Sequence, residues 1–153
     1  MNELEQLIRD YLKEAKMMQL ATGIDNQPWV CSVWFATDDE LNVYWFSSVN
    51  RRHSGEVRQN PKVAAAFCLP QTPADKPQGL QLQGTAQELT DAKDVAKARA
   101  CYEDRIFDGK TIDSLIVHPE KPHRFYRIKP SLFVLFDVVN FPDESRREWK
   151  PNA

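Results

Sequence analysis

The chain opens on a helical period. Leu4, Leu7, Ile8, Tyr11, Leu12 and Ala15 recur at spacings of three and four, which predicts one apolar helix face with Asn2 as its N-cap. From Met17 the period shortens. Residues 17–24 read as a strand and Asp25-Asn26-Gln27-Pro28 as a turn, because Asn and Asp favour turn geometry and Pro cannot donate to a ladder. Residues 29–37 are rich in β-branched and aromatic side chains. In 41–48, Val43, Trp45 and Ser47 alternate with Tyr44, Phe46 and Ser48, so a hairpin is expected across the polar Asp38-Asp39-Glu40 turn.

A short helix over 51–60 should stop at Asn60-Pro61, since a residue before proline is pushed out of the helical region. A buried strand over 62–69 and a loop with three prolines over 70–77 follow. Leu80, Leu82, Gly84 and Ala86 then alternate with Gln81, Gln83, Thr85 and Gln87, a half-buried strand. A second long helix, capped by Thr90 or Asp91, carries Val95, Ala98, Tyr102 and Ile106 on one face, and Asp108-Gly109 is expected to end it. Its other face mixes Asp91, Asp94, Glu103 and Asp104 with Lys93, Lys97 and Arg99, as a solvated surface does. Residues 114–117 fit either period. Residues 124–128 and 132–139 read as two strands separated by Lys129-Pro130. Residues 1–141 are thus expected to form one domain, and 142–153 a charged, loose tail in which Trp149 could dock. Short, sequential, half-polar strands suit an antiparallel barrel, because βαβ units would need a helix between most strands.

Composition narrows the function. Hydrophobic residues make up 42% of the 153, enough for a core without a metal or disulfide. A net charge of −2 argues against bulk nucleic-acid binding, which needs a basic face. Cys31, Cys68 and Cys101 are odd in number and far apart, so neither a zinc site nor a disulfide framework is expected, and reduced thiols suit the cytoplasm. The acidic start is unlike a signal peptide, and no apolar run approaches the ~20 residues that cross a bilayer. His118 and His123 flank Pro119 and Pro122 with only Glu120 nearby, which reads as a polar loop rather than a metal site. Cys31, in an apolar strand without a base beside it, reads as an inert thiol. Neither a G-x-G-x-x-G nor a P-loop is present.

One segment carries candidate chemistry: Ser47-Ser48-Val49-Asn50-Arg51-Arg52-His53-Ser54. A strand ends at two hydroxyls and a helix begins inside a basic triplet. Helix N-termini hold free N–H groups and partial positive charge, and Arg adds planar donors, so the corner could cradle a phosphate. A plainer reading stays open, in which the serines cap the helix and the basic residues face water. Basic residues oppose the dipole at a helix start, and a bound phosphate would compensate them. Trp34, Trp45 and Phe46 fit a ligand site, an interface or the core equally.

The order Ala21-Thr22, Gln27-Pro28, a hairpin to Ser47-Ser48, Arg51-Arg52-His53 and Asn60-Pro61, followed by Gly84-Thr85-Ala86-Gln87-Glu88-Leu89, resembles the pyridoxamine 5′-phosphate oxidase-like flavoproteins. The spacing from Gln27-Pro28 to Asn60-Pro61 matches that family without a gap. The resemblance implies a mainly β, α+β fold: a six-stranded antiparallel split β-barrel with flanking helices, binding FMN at a homodimer interface. It gives Ser47, with Ser48 beside it, the place of the family's phosphate-binding Thr, Arg52 that of its Arg and His53 that of its Lys, with Arg51 restoring charge. The flavin ring would lie against the 30–35 strand, making Cys31, Ser32, Val33 and Trp34 contacts, and Gln81 matches a ring-contacting Gln at an offset of two residues. Cys31 and Ala36 replace charged ring contacts, and the oxidase's substrate-holding C-terminal motif has no counterpart; residues 123–130 resemble the last strands of shorter bacterial split-barrel proteins. The resemblance therefore implies an FMN-dependent oxidoreductase of open substrate, with no catalytic residue assigned. A non-catalytic flavin, haem or deazaflavin binding or storage module and a cofactor-free structural dimer remain as alternatives.

Overall fold

The computed structural model describes residues 1–103 and 105–151; Asp104, placed above on a solvated helix face, and the last two residues lie outside them. Among the described residues, four helices and eight strands run in the order α1 (Glu3–Glu14), β1 (Met17–Ile24), β2 (Gln27–Trp34), β3 (Ala36–Thr37), β4 (Val43–Ser48), α2 (Arg52–Gln59), β5 (Lys62–Phe67), β6 (Gln78–Glu88), α3 (Ala92–Tyr102), α4 (Gly109–Ile116), β7 (His123–Asp137) and β8 (Arg146–Trp149). The strands form one antiparallel sheet in the order β2-β1-β5-β6-β7-β4-β3, with β8 added on β7. The two ends of that order, β2 and β3, are separated in the chain only by Phe35. The sheet must therefore curl on itself, leaving a split between β2 and β4. This is the split barrel, with eight strands rather than six.

Alternation explains where the core sits. Leu20, Val43, Trp45, Leu82, Tyr126 and Phe133 point into the barrel, and Trp45 stacks on Tyr126 with ring centroids 5.0 Å apart. The opposite face of β4 is buried too: Tyr44 and Phe46 lie with Phe125 under Ala98, Tyr102 and Ile112 of α3 and α4. Both faces being covered, β4 is buried at every position, which is why Val43 to Phe46 are all apolar or aromatic.

Four expectations are corrected. The β1–β2 turn is Asp25-Asn26 alone, both with positive φ (49° and 60°), and Gln27-Pro28 already belong to β2, an edge strand where a missing N–H costs no ladder bond. Asp108 does not end a helix. The second long helix stops at Tyr102, and Asp108 caps α4 by accepting from Thr111 N at 2.7 Å, which resolves residues 114–117 as its last turn. Lys129-Pro130 does not divide two strands, because Pro130 sits opposite Gly84 at a register shift in the β6–β7 ladder. The segment after 141 is not a loose tail: Arg146–Trp149 pairs with β7, and Trp149 packs on Phe133 at 5.9 Å.

Candidate functional site

The split is the site. β2 pairs with β1 along one edge only, so its other edge presents backbone donors and acceptors to the gap. Across that gap β4 ends at Ser47-Ser48 and the chain turns into α2. The cleft between them has a volume of about 500 Å³. It brings together Cys31, Ser32, Val33 and Trp34 from β2, Ser47 and Ser48 from β4, and Arg51, Arg52 and His53 from the start of α2. It also takes in Phe46, which the sequence left open between ligand site, interface and core, and Trp29 and His123, which the sequence did not point to. Gln81 is elsewhere, on the outer face of the sheet beside Val30, Ala64, Ala66 and Val134. His123 enters the site because it starts a strand whose register sets it opposite Ser48, a pairing that no local pattern encodes. It begins β7 rather than lying in a polar loop.

The polar corner is built from short contacts. Val49 N and Arg51 N donate to Pro122 O and Ser48 O, at 3.0 and 3.2 Å, and Ser54 Oγ donates to Ser48 O at 2.8 Å. These fix the strand-to-helix turn. His53 is buried, and its Nε2 lies 3.0 Å from Ser47 Oγ. Burial first, and then the charge of Arg51, push the His53 imidazole below its usual pKa, while Glu56 pulls the other way. Arg52 is exposed but anchored: Nε donates to Glu56 Oε2 at 2.6 Å, and its guanidinium carbon sits 4.0 Å from the centre of the Trp29 ring. The Glu56 carboxylate, buried at 3% exposure, also accepts from Thr22 Oγ1 at 3.0 Å, and the Arg52 guanidinium chiefly holds it below the ordinary carboxylate range.

The start of α2 differs from every other helix start among the described residues. Asn2 caps α1, Asp91 caps α3 and Asp108 caps α4, but no side chain caps α2, and its first turn holds no acid. Uncapped amides, an Arg51 side chain with no partner among the described residues and two hydroxyls around one cleft form an anion-accepting corner. Opposite them, burial pushes the Cys31 thiol up to about 11, so it stays protonated and is no nucleophile at neutral pH. His123 Nδ1 lies 2.8 Å from Lys121 O. A carbonyl only accepts, so Nδ1 is the donor in this contact. Among the described residues there is no group of three or more His, Cys, Asp or Glu that could hold a metal, and no helix is long and apolar enough to cross a membrane.

Comparison with known proteins agrees with the fold. The sequence profile of the family described as pyridoxamine 5′-phosphate oxidase matches residues 4–133. A UPF0306 protein of Pasteurella multocida (strain Pm70) is 27% identical over 109 residues, 71% of this chain and 72% of that protein. A heme binding protein from Mycobacterium smegmatis superposes with a TM-score of 0.77 at 15% identity, covering 99% of this chain; the chain spans 59% of that protein's length. A FAD-binding protein from Mesorhizobium loti superposes with a TM-score of 0.64 at 21% identity, over 87% of this chain and 90% of the other. These structural likenesses speak to the fold.

Proposed function

Because the chain belongs to the pyridoxamine 5′-phosphate oxidase family, we propose that it is an FMN-binding flavoprotein acting as an oxidoreductase on a substrate yet to be assigned. The observation that carries this reading is the uncapped start of α2, which opens into a cleft shared with the free edge of β2. Ser47, Ser48, the first amides of α2 and the basic residues beside them suit a terminal phosphate. The β2 backbone at Cys31, Ser32, Val33 and Trp34 supplies donors and acceptors for a planar ring, and Trp29 and Phe46 supply apolar walls. Bound FMN would bring the hydride chemistry itself. The chain's own part is to grip the phosphate, present the ring and keep water from one face.

A homodimer completes this proposal. Val30, Trp34 and Phe136 leave apolar surface exposed at 58%, 44% and 42%, and Gln81 lies on the same outer sheet surface as Val30. A second copy seated there would cover that surface, and Gln81 would reach a cofactor only through such a pairing.

Titration with FMN and with riboflavin, read by quenching of flavin fluorescence, tests the assignment. Saturable binding that favours FMN supports it, and a colourless protein that ignores both flavins removes it. A second reading, a haem-binding module without turnover, is favoured by His123, which lines the cleft and whose Nδ1 is engaged by Lys121 O, leaving Nε2 as the ring nitrogen that could ligate iron. A Soret band on adding hemin that is lost in His123→Ala would select it.

A further inference from the structure

Two arginines stand side by side at the start of α2, and the structure treats them differently. Arg52 is engaged on both sides. Its side chain is exposed, as is that of Arg51, but its Nε meets the Glu56 carboxylate at 2.6 Å, one helical turn along the same face, and its guanidinium carbon lies over the Trp29 ring, 4.0 Å from the centre. Swinging Arg52 toward a ligand would strip the buried Glu56 of its counter-charge, leaving only Thr22 Oγ1 at 3.0 Å. Arg51 occupies the N-cap position, with extended backbone angles (φ −71°, ψ 148°). It is exposed and lines the same cleft, and its side chain makes no hydrogen bond or ion pair among the described residues. Its charge is also close enough to the buried His53–Ser47 pair to act on the His53 imidazole.

We infer that the two arginines divide the work: Arg51 is the guanidinium that grips the phosphate, and Arg52 is a positioning residue that holds the Trp29 wall of the cleft. This rests on the phosphate-anchored cofactor site proposed above. It reverses the assignment that family resemblance gives, in which Arg52 carries the phosphate. With Arg52 neutralised by Glu56 and His53 favoured neutral, the cleft offers one uncompensated side-chain charge together with helix amides. That count suits one phosphate monoester. A diphosphate would bring a second charged group for which this corner shows no further free cation among the described residues.

The test compares FMN with riboflavin, which lacks the phosphate, in the wild type, Arg51→Ala and Arg52→Ala. Arg51→Ala should weaken FMN by at least roughly tenfold, the scale of a lost charge-assisted hydrogen bond, and leave riboflavin unchanged. Arg52→Ala should weaken both ligands by a similar factor, keep their ratio and shift the tryptophan emission as Trp29 loses its cover. Should that variant fail to fold, Trp29→Leu carries the same expectation for the ratio. A collapse of the FMN-to-riboflavin ratio in Arg52→Ala, with Arg51→Ala unaffected, overturns the division. If the wild type binds neither flavin, the cofactor assignment falls on its own, and inorganic phosphate decides the rest. A phosphate-dependent rise in Tm that Arg51→Ala abolishes and Arg52→Ala retains upholds the inference. No rise in the wild type, or a rise lost only with Arg52, refutes it.

Discussion

Arg105 and Arg51 show two fates of a basic side chain in one small barrel. Arg105 donates to the carbonyls of Ala15, Phe35, Leu12 and Lys13 at 2.6, 3.1, 3.3 and 3.3 Å, closing the C-terminal end of α1 onto the β2–β3 junction. Arg51, at the open split, has no such partner among the described residues, and the helix it introduces has no side-chain cap. Elsewhere the helix starts are satisfied: Asn2 accepts from Glu5 N at 2.8 Å, Asp91 from Lys93 N at 3.0 Å, and Asp108 from Thr111 N at 2.7 Å. Where the molecule only needs to hold together, orphan backbone groups are matched from within. Around the cleft they are left for something else.

The largest test of that contrast falls on the satisfied side. Arg105→Ala removes a charged donor from several carbonyls at a helix C-terminus and should destabilise the fold by about 2–4 kcal/mol in urea unfolding. Flavin affinity of the molecules that remain folded should not change. A loss of affinity as large as the loss of stability would mean that the two regions are coupled and the contrast is misplaced.

Next come the caps. Asp91→Ala and Asp108→Ala should each cost about 1 kcal/mol, and the cleft should be indifferent to both. The reverse experiment is sharper. Arg51→Asp supplies α2 with the cap and the acid it lacks, at a residue whose backbone is already in the extended region a cap needs. It should raise the stability of the ligand-free protein by about 0.5–1 kcal/mol while abolishing phosphate recognition. A variant that is both less stable and still able to bind would show that the empty cap serves no ligand.

The sequence made the cleft legible and left its wiring hidden, for identifiable reasons. Ser47, Ser48 and Arg51 to His53 are adjacent in the chain, so a strand end followed by a helix start sufficed to bring them together. The link from Arg52 through Glu56 to Thr22 depends on α2 packing against β1, a contact 34 residues apart in sequence that no local pattern encodes. Phe46 was visible as a surplus aromatic, but the register that sets Ser48 against His123 and Phe46 against Phe125 depends on a strand that starts 75 residues after Ser48. Breakers misled in two places. Pro130 was read as a strand end because its missing N–H is a liability, yet it falls at the bulge opposite Gly84, where an added Cβ would run into Lys129 O. Asp108-Gly109 carries the same residues as a helix stop and serves instead as a helix start, a difference decided by which side has apolar partners: Ile112 packs into the core beneath α3 and α4.

The smallest effect is one of pH, and its sign separates the empty site from the filled one. In the folded protein burial and Arg51 depress the His53 pKa below its ordinary value near 6.5. Between the depressed value and 6.5 the unfolded chain binds more protons than the native one, so stability falls as the pH drops through that window and levels off once the native ring is protonated. His53→Gln, which keeps a polar group near Ser47, should remove that slope in the ligand-free protein, read as Tm across the pH range. A phosphate dianion placed beside the ring favours the imidazolium and works against the depression. The slope should therefore flatten or reverse in the wild type when inorganic phosphate or FMN is present, and His53→Gln should show neither response. A wild-type slope unchanged by either anion would place the ligand's charge away from His53 and confine it to Arg51 and the amides of α2.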